Sequence, residues 1–177
     1  MCIRDRSNTG PKRLNFLFQK LKKRGIKINS IQMQLSLLTK PSLEDQNIKN
    51  ICDENEIEYL AYSPLGLGIL TIPPKNTPKP TTFLRQKLFQ KILPKTIELR
   101  TLIANIGKKY SASQAQVALN WVRSHGAKPI VGIRNPLQAK DAISALTWSL
   151  TNNEKESLDS YRNKCLTNMP TNPFTSP

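Results

Sequence analysis

The stretch Glu58–Gly68, E-Y-L-A-Y-S-P-L-G-L-G, constrains the fold more tightly than any other part of the chain. From Tyr59 to Ala61 it is short, apolar and aromatic, as in a strand buried on both faces. Its second half cannot continue that strand. Pro64 fixes its own φ and biases Ser63 towards extended backbone, while Gly66 and Gly68 allow torsion angles that other residues avoid. Backbone amides, the Ser63 hydroxyl and the Tyr62 ring are thereby gathered at a strand's C-terminal end. That is where α/β folds bind their ligands.

The flanking segments supply the rest of a parallel α/β arrangement. Pro11 to Arg24 reads as an amphipathic helix with Leu14, Leu17, Phe18 and Leu21 on one face, stopped by Gly25. Ile26 to Leu35 alternates, giving a strand in which Ile28, Ser30, Gln32 and Gln34 share one side. Ser42 caps a second helix through Ile48 and Ile51 to Asn55, which returns the chain to the Tyr59 strand. Strand, helix and strand at this spacing make one βα repeat. Pro73 to Thr82 holds too many prolines for regular structure. Pro94 to Tyr110 follows as a helix with Ile97, Leu102 and Ile106 on one face. Ser111 or Ser113 then caps a largely buried helix carrying Ala115, Val117, Ala118, Leu119, Trp121 and Val122. Lys128 to Val131 is the last strand, Gly132 to Pro136 a turn into a helix, and Leu150 to Glu154 a capping arrangement before a terminal helix.

Composition excludes some classes of function. No run of about 18 apolar residues occurs, so no membrane partner is expected. The net charge of +15 invites a nucleic-acid reading, yet the basic residues are spread along the chain, with one cluster at Lys20–Arg24 that suits a solvated helix face. No nucleic-acid motif spacing accompanies it, and no nucleic-acid partner is expected. Cys2, Cys52 and Cys165 are odd in number and widely spaced, and Met1–Arg6 lacks an apolar signal core; reduced thiols in a cytoplasmic protein are the expectation. His125, the only histidine, has no cysteine or carboxylate at ligand spacing, so no metal site is expected.

A-Y-S-P-L-G-x-G at a strand end resembles the aldo-keto reductase superfamily at its seventh barrel strand. Four more signatures stand in the family's order around it: S-N at Ser7-Asn8, the glutamine Gln32, A-L-N-W at Ala118–Trp121, and I-V-G-I-R-N-P-x-Q at Ile130–Gln138. The match is most like the branch containing pyridoxal-reductase-like and potassium-channel β-subunit-like members. It implies an α/β fold that is the C-terminal part of a (β/α)₈ TIM barrel, strands 6 to 8 with their helices. A complete barrel needs about 250 residues, so the expectation is a partial one. Residues 7–165 would be this NADP-binding portion, 1–6 a foreign leader on a chain truncated upstream, and 166–177 an extended tail.

The resemblance also assigns roles. Ser7, Asn8 and Gln32 would hold the nicotinamide carboxamide, although the first two read equally well as the N-cap of the Pro11 helix. Tyr62 would stack on the nicotinamide, and Ser63, Pro64, Leu65, Gly66 and Gly68 would run along the pyrophosphate. Gly132, Ile133 and Arg134 would form the adenosine-phosphate end, with Arg134 facing the 2′-phosphate of NADP and Gln138 and Asp141 nearer the adenine. Three departures stand out. Ile31 takes the place of the family's asparagine, and Ala142 that of an adenine-contacting asparagine. The family's L-T-G-K-Y is L-T-I-P-P at Leu70–Pro74, so Lys75, Lys79 or Arg85 substitutes for the lost lysine, or the segment is a solvated linker.

By the same resemblance the parent is an NADP-dependent oxidoreductase passing a hydride to the carbonyl carbon of a small aldehyde or ketone. The tyrosine, lysine, histidine and aspartate that protonate the oxygen lie on strands preceding Ser7. Tyr59, Tyr110 and Tyr161 lack such partners, no catalytic residue is assigned, and the chain alone is expected to be inactive as a reductase. The alternatives are an NADPH-binding regulatory subunit of the same fold and a basic nucleic-acid-binding module. Oligomeric state is not legible in the sequence.

Overall fold

The computed structural model describes residues 5–78, 80 and 82–164. The expectations placed on Met1–Arg4, on Lys79 and on Cys165–Pro177 lie outside these residues. The elements are β1 (Asp5–Ser7), α1 (Pro11–Lys22), β2 (Ser30–Gln34), α2 (Leu43–Glu54), β3 (Glu58–Tyr62), α3 (Phe83–Ile92), α4 (Ile97–Lys109), α5 (Gln114–Ser124), β4 (Lys128–Pro129), α6 (Pro136–Ser144) and α7 (Asn152–Lys164). Short 3₁₀ segments cover Gly66–Thr71 and Pro94–Thr96.

The four strands form one sheet in the order β1-β2-β3-β4, every pair parallel. This adds a strand to the three expected. The backbones of Asp5 and Arg6 pair with Ser30 and Ile31, so two residues read as leader belong to the sheet. Three polar residues carry no hydrophobic periodicity, and only the ladder to β2 defines them as a strand. At the other edge β4 is shorter than expected, two residues rather than four, although Ile130 N still donates to Ala61 O at 2.8 Å.

Only one face of the sheet is covered. Ile31 and Met33 of β2 and Tyr59 and Ala61 of β3 are buried in the core with Leu14, Ile28, Ile48 and Cys52. On the opposite face Gln32, Gln34, Leu60 and Tyr62 are half-buried. The expectation that Tyr59–Ala61 is buried on both faces is therefore corrected to one, because the helices pack against a single side. Cys52 is a free thiol, 1% exposed, and burial pushes its pKa up to about 11. No helix among the described residues is long and apolar enough to cross a membrane.

Local capping chemistry explains most helix starts. Ser42 Oγ accepts from Asp45 N at 3.0 Å, and Ser113 Oγ from Gln116 N at 3.1 Å. The residue preceding α1 is Gly10, not Ser7 or Asn8, so the cap reading of that pair does not hold. Helix α3, over the basic run F-L-R-Q-K-L-F-Q-K-I, was not expected. The buried face of α4 is also rotated from the expected one: Leu99, Arg100, Ile103 and Ile106 are inside, while Ile97 is 47% exposed.

At the end of the chain α7 is fastened by charge. Thr151 N donates to Glu154 Oε2 and Glu154 N to Thr151 Oγ1, a reciprocal capping box. Lys109 Nζ and Tyr110 Oη of the α4 end donate to the same carboxylate at 2.8 and 2.9 Å. Burial works against the charged form, but the hydrogen bonds from Lys109, Thr151 and Tyr110 outweigh it and pull the Glu154 pKa from 4.5 to about 2. A carboxylate depressed in the folded state stabilises above its unfolded pKa, and that contribution is lost as pH falls through the folded value. The wild-type unfolding midpoint should thus decline between pH 4.5 and about 2. Thermal unfolding across this window should find the decline shallower in Glu154→Gln.

Candidate functional site

The C-terminal ends of β1, β2 and β3 bring four of the expected residues together. Ser7 is paired with Gln32 across the sheet, and Asn8 N donates to Gln32 O at 2.9 Å. Tyr62 Oη donates to Asn8 Oδ1 at 2.7 Å, spanning the two outer strands of this group and fixing the edge of the phenol ring. Asn8, 6% exposed, takes φ = 50° as the chain leaves β1. Asparagine tolerates this left-handed geometry better than most residues do.

The turn after β3 repeats the device under more strain. Ser63 has φ = 54°, not the extended backbone that a following proline favours. The reason is the turn itself: Gly66 N donates to Ser63 O at 2.9 Å, with Pro64 inside the loop. Leu67 also has positive φ (55°), next to Gly68 at 88°. Left-handed torsions at non-glycine residues cost about 1–2 kcal/mol each, and they persist where surrounding structure enforces them. Gly66 is buried at φ = 54°, and a Cβ there would lie 2.7 Å from Leu38 Cδ1. It shapes the wall from behind.

A groove of about 1410 Å³ opens beside this turn. Ser63, Pro64, Leu65 and Gly68 line one side of it, and Gly132, Ile133, Arg134, Gln138 and Asp141 line the other. Two segments almost seventy residues apart thus form a single trough. Tyr62, Asn8, Ser7 and Gln32 stand at the strand ends leading to it rather than in its lining.

At the α6 side, Asn135 Oδ1 accepts from Gln138 N and Gln138 Oε1 accepts from Arg134 N, both at 2.9 Å. This reciprocal cap uses two of the amides that a bare helix start would offer an anion, and Pro136 has none. The attraction for negative charge therefore rests chiefly on the exposed Arg134 guanidinium. Asp141 lines the groove with both oxygens engaged by α5: Ser113 Oγ donates to Oδ2 and Gln116 Nε2 to Oδ1, each at 2.7 Å.

Helix α3 adds residues that sequence reasoning named only in passing or not at all. Arg85 Nη2 donates to Leu67 O at 2.7 Å, bracing the strained turn, and its guanidinium lies 5.2 Å from the Phe89 ring. Its Nε is buried with no hydrogen-bond partner. Lys87 and Lys91 line the same groove. Arg85, Lys87, Lys91 and Arg134 outnumber Asp141 along the lining, so the trough is positive. Lys75 is exposed and is not among the lining residues.

Other candidates fall elsewhere. His125 Nε2 lies 3.0 Å from Asp159 Oδ1, which also accepts from Trp121 Nε1 at 2.8 Å; burial lowers its pKa while Asp159 opposes the shift. It ties α5 to α7. Tyr59 is buried and its pKa is pushed up by desolvation, the reverse of a poised acid. No group of three metal-ligating side chains occurs among the described residues.

Comparison with known proteins places this geometry. The model of the Aldo/keto reductase family matches residues 7–163. The chain is 41% identical over 153 residues to the chloroplastic pyridoxal reductase of Arabidopsis thaliana, covering 86% of this chain and 41% of that one. It is 26% identical to an NADPH-dependent alpha-keto amide reductase of Saccharomyces cerevisiae, covering 81% and 41% respectively. A solved glycerol dehydrogenase from Gluconobacter oxydans shares the fold, with a TM-score of 0.73 at 24% identity over 97% of this chain and 51% of that one. The chain thus spans less than half the length of these curated relatives. With a match running from the end of β1 to the last turn of α7, over a parallel sheet whose strand ends frame the groove, the chain belongs to the aldo/keto reductase family.

Proposed function

We propose that this chain is the C-terminal part of a (β/α)₈ barrel and forms the dinucleotide-binding groove of an NADP-dependent carbonyl reductase. The observation that carries the proposal is the single trough built from Ser63–Gly68 and Gly132–Asp141, with Tyr62, anchored to Asn8, on the strand end that precedes it. The residues suit such a ligand. Arg85, whose buried Nε has no hydrogen-bond partner, lines the groove beside the Ser63–Gly68 turn, and Arg134 supplies a permanent forked cation at the other end. The NADPH dependence of the yeast relative supports the same choice.

Bound there, the dinucleotide would supply the hydride that reduces a carbonyl carbon. Tyr62 would present its ring to the nicotinamide, held edge-on by Asn8. Ser7, Asn8 and Gln32 provide amide and hydroxyl groups for the carboxamide, Arg85 and the Ser63–Gly68 turn meet the pyrophosphate, and Arg134 meets the 2′-phosphate. Small aldehydes or ketones are the substrate class, in keeping with the pyridoxal reductase relative.

Titration of the chain with NADPH, followed by dihydronicotinamide fluorescence, tests this reading. Saturable binding is expected, about tenfold or more tighter than for NADH because only the former carries a phosphate for Arg134. Equal affinities, or no binding of either, would contradict it.

A further inference from the structure

Away from the groove, we propose that the outer face of α1 binds single-stranded nucleic acid, with its basic side chains on the phosphates and Phe16 stacked on an unpaired base. Leu14 and Leu21 turn this helix to the core. On the opposite side Lys12, Phe16, Lys20 and Lys23 follow one another at i, i+4, i+8 and i+11, a single stripe about 16 Å long. Arg13, Lys22 and Arg24 flank it, and all six basic residues are exposed. The helix holds no acid. None of the six is in an ion pair among the described residues.

Phe16 is 60% exposed in the middle of this stripe, with Lys20 Nζ 5.5 Å from its ring centroid. At that exposure the ring has room for a base as well as the lysine. Cations that track a phosphate backbone, with an aromatic face among them for a base, are how single strands are held without reading their sequence. The net charge of +15 favours the encounter. The absence of motif spacing, on which the expectation of no nucleic-acid partner rested, does not bear on this mode of binding.

The surroundings of α1 select a narrow polyanion. Helix α2 packs beside it, and because β2 and β3 are parallel both helices end at the same edge of the sheet. There α2 carries Asp53 and Glu54, both exposed, the first paired with Lys49. A flat anionic bilayer laid on this edge would meet those acids, whereas a strand lying along α1 alone would not. The groove opens at the other edge, beyond the C-terminal end of β3.

The 177-residue chain is titrated into a labelled oligo(dT) about 12 nucleotides long and followed by fluorescence anisotropy. Saturable binding is expected, with log Kd rising against log salt at a slope of about 4, as for six phosphates met by six cations. Phe16→Ala should weaken it about fivefold or more, leave the slope unchanged, and leave binding of a duplex of that length unaffected. Lys20→Glu combined with Lys23→Glu should weaken it about tenfold or more and lower the slope. The same charge change at the exposed Lys95 and Lys108 should cost about threefold or less. Excess NADPH should displace nothing. No binding of the oligonucleotide, with or without capture of the chain by phosphatidylglycerol vesicles, would overturn the proposal, and neither measurement needs a variant to fold. So would displacement by NADPH, which would put the strand in the groove, or equal losses from the two double variants. A Phe16→Ala variant that loses nothing, or loses as much on the duplex, would overturn it too.

Discussion

Arg100→Ala is expected to lower the unfolding free energy by about 3–5 kcal/mol, because it strands several buried acceptors at about 1–3 kcal/mol each and leaves a void. Arg100 is 1% exposed. Its guanidinium donates to Ile72 O at 3.2 Å, Pro73 O at 2.9 Å and Leu93 O at 3.1 Å, and Nε to Thr96 Oγ1 at 3.3 Å. These partners belong to the start of the proline-rich segment and to the junction of α3 with α4. Truncation would strand buried carbonyls and leave a void where the side chain lay. Arg100→Lys should recover only part of the loss, since an ammonium cannot reach carbonyls spread around a planar fork. Urea denaturation would measure both; an Ala variant within about 1 kcal/mol of wild type would refute the assignment.

Arg134→Ala is expected to raise the dissociation constant for NADPH by about 10- to 100-fold and to leave NADH within about twofold. The side chain is exposed and lines the groove, and the nearby amides of Arg134 and Gln138 are spent on the α6 cap. Little else at that end carries positive charge to a 2′-phosphate. Raising the salt concentration should narrow the difference between variant and wild type, because an exposed cation is screened. Equal weakening of NADPH and NADH would place Arg134 outside phosphate recognition.

The local parts of the fold were legible in the sequence. Ser42 and the Thr151–Glu154 box act within one turn, and the structure finds them where their spacing put them. Of Ser111 and Ser113, the latter is the cap. Gly25, Gly66 and Gly68 adopt the positive φ their positions required. What escaped depends on distant neighbours. β1 is a strand only because β2 lies beside it. Helix α3 hides because Phe83 and Leu84 are exposed while lysines punctuate its pattern. Arg100 reads as a polar position on a helix face, yet it is buried by carbonyls about 27 residues earlier.

The site shows the same division. The motif residues of Ser63–Gly68 and Gly132–Asp141 do share one groove, but no local pattern reveals that Asp141 engages α5 through both oxygens. Nor does one single out Arg85 among three basic candidates. Its distinction is a contact to Leu67 O from a helix that periodicity did not reveal.

The central claim is that two separate strand ends bind one dinucleotide, and amide NMR of the isotopically labelled chain tests it most directly. Adding NADPH should shift the resonances of Leu65–Gly68 and those of Gly132–Gln138 in parallel, both fitting the same dissociation constant. Shifts confined to one segment, or two segments titrating with different constants, would contradict it.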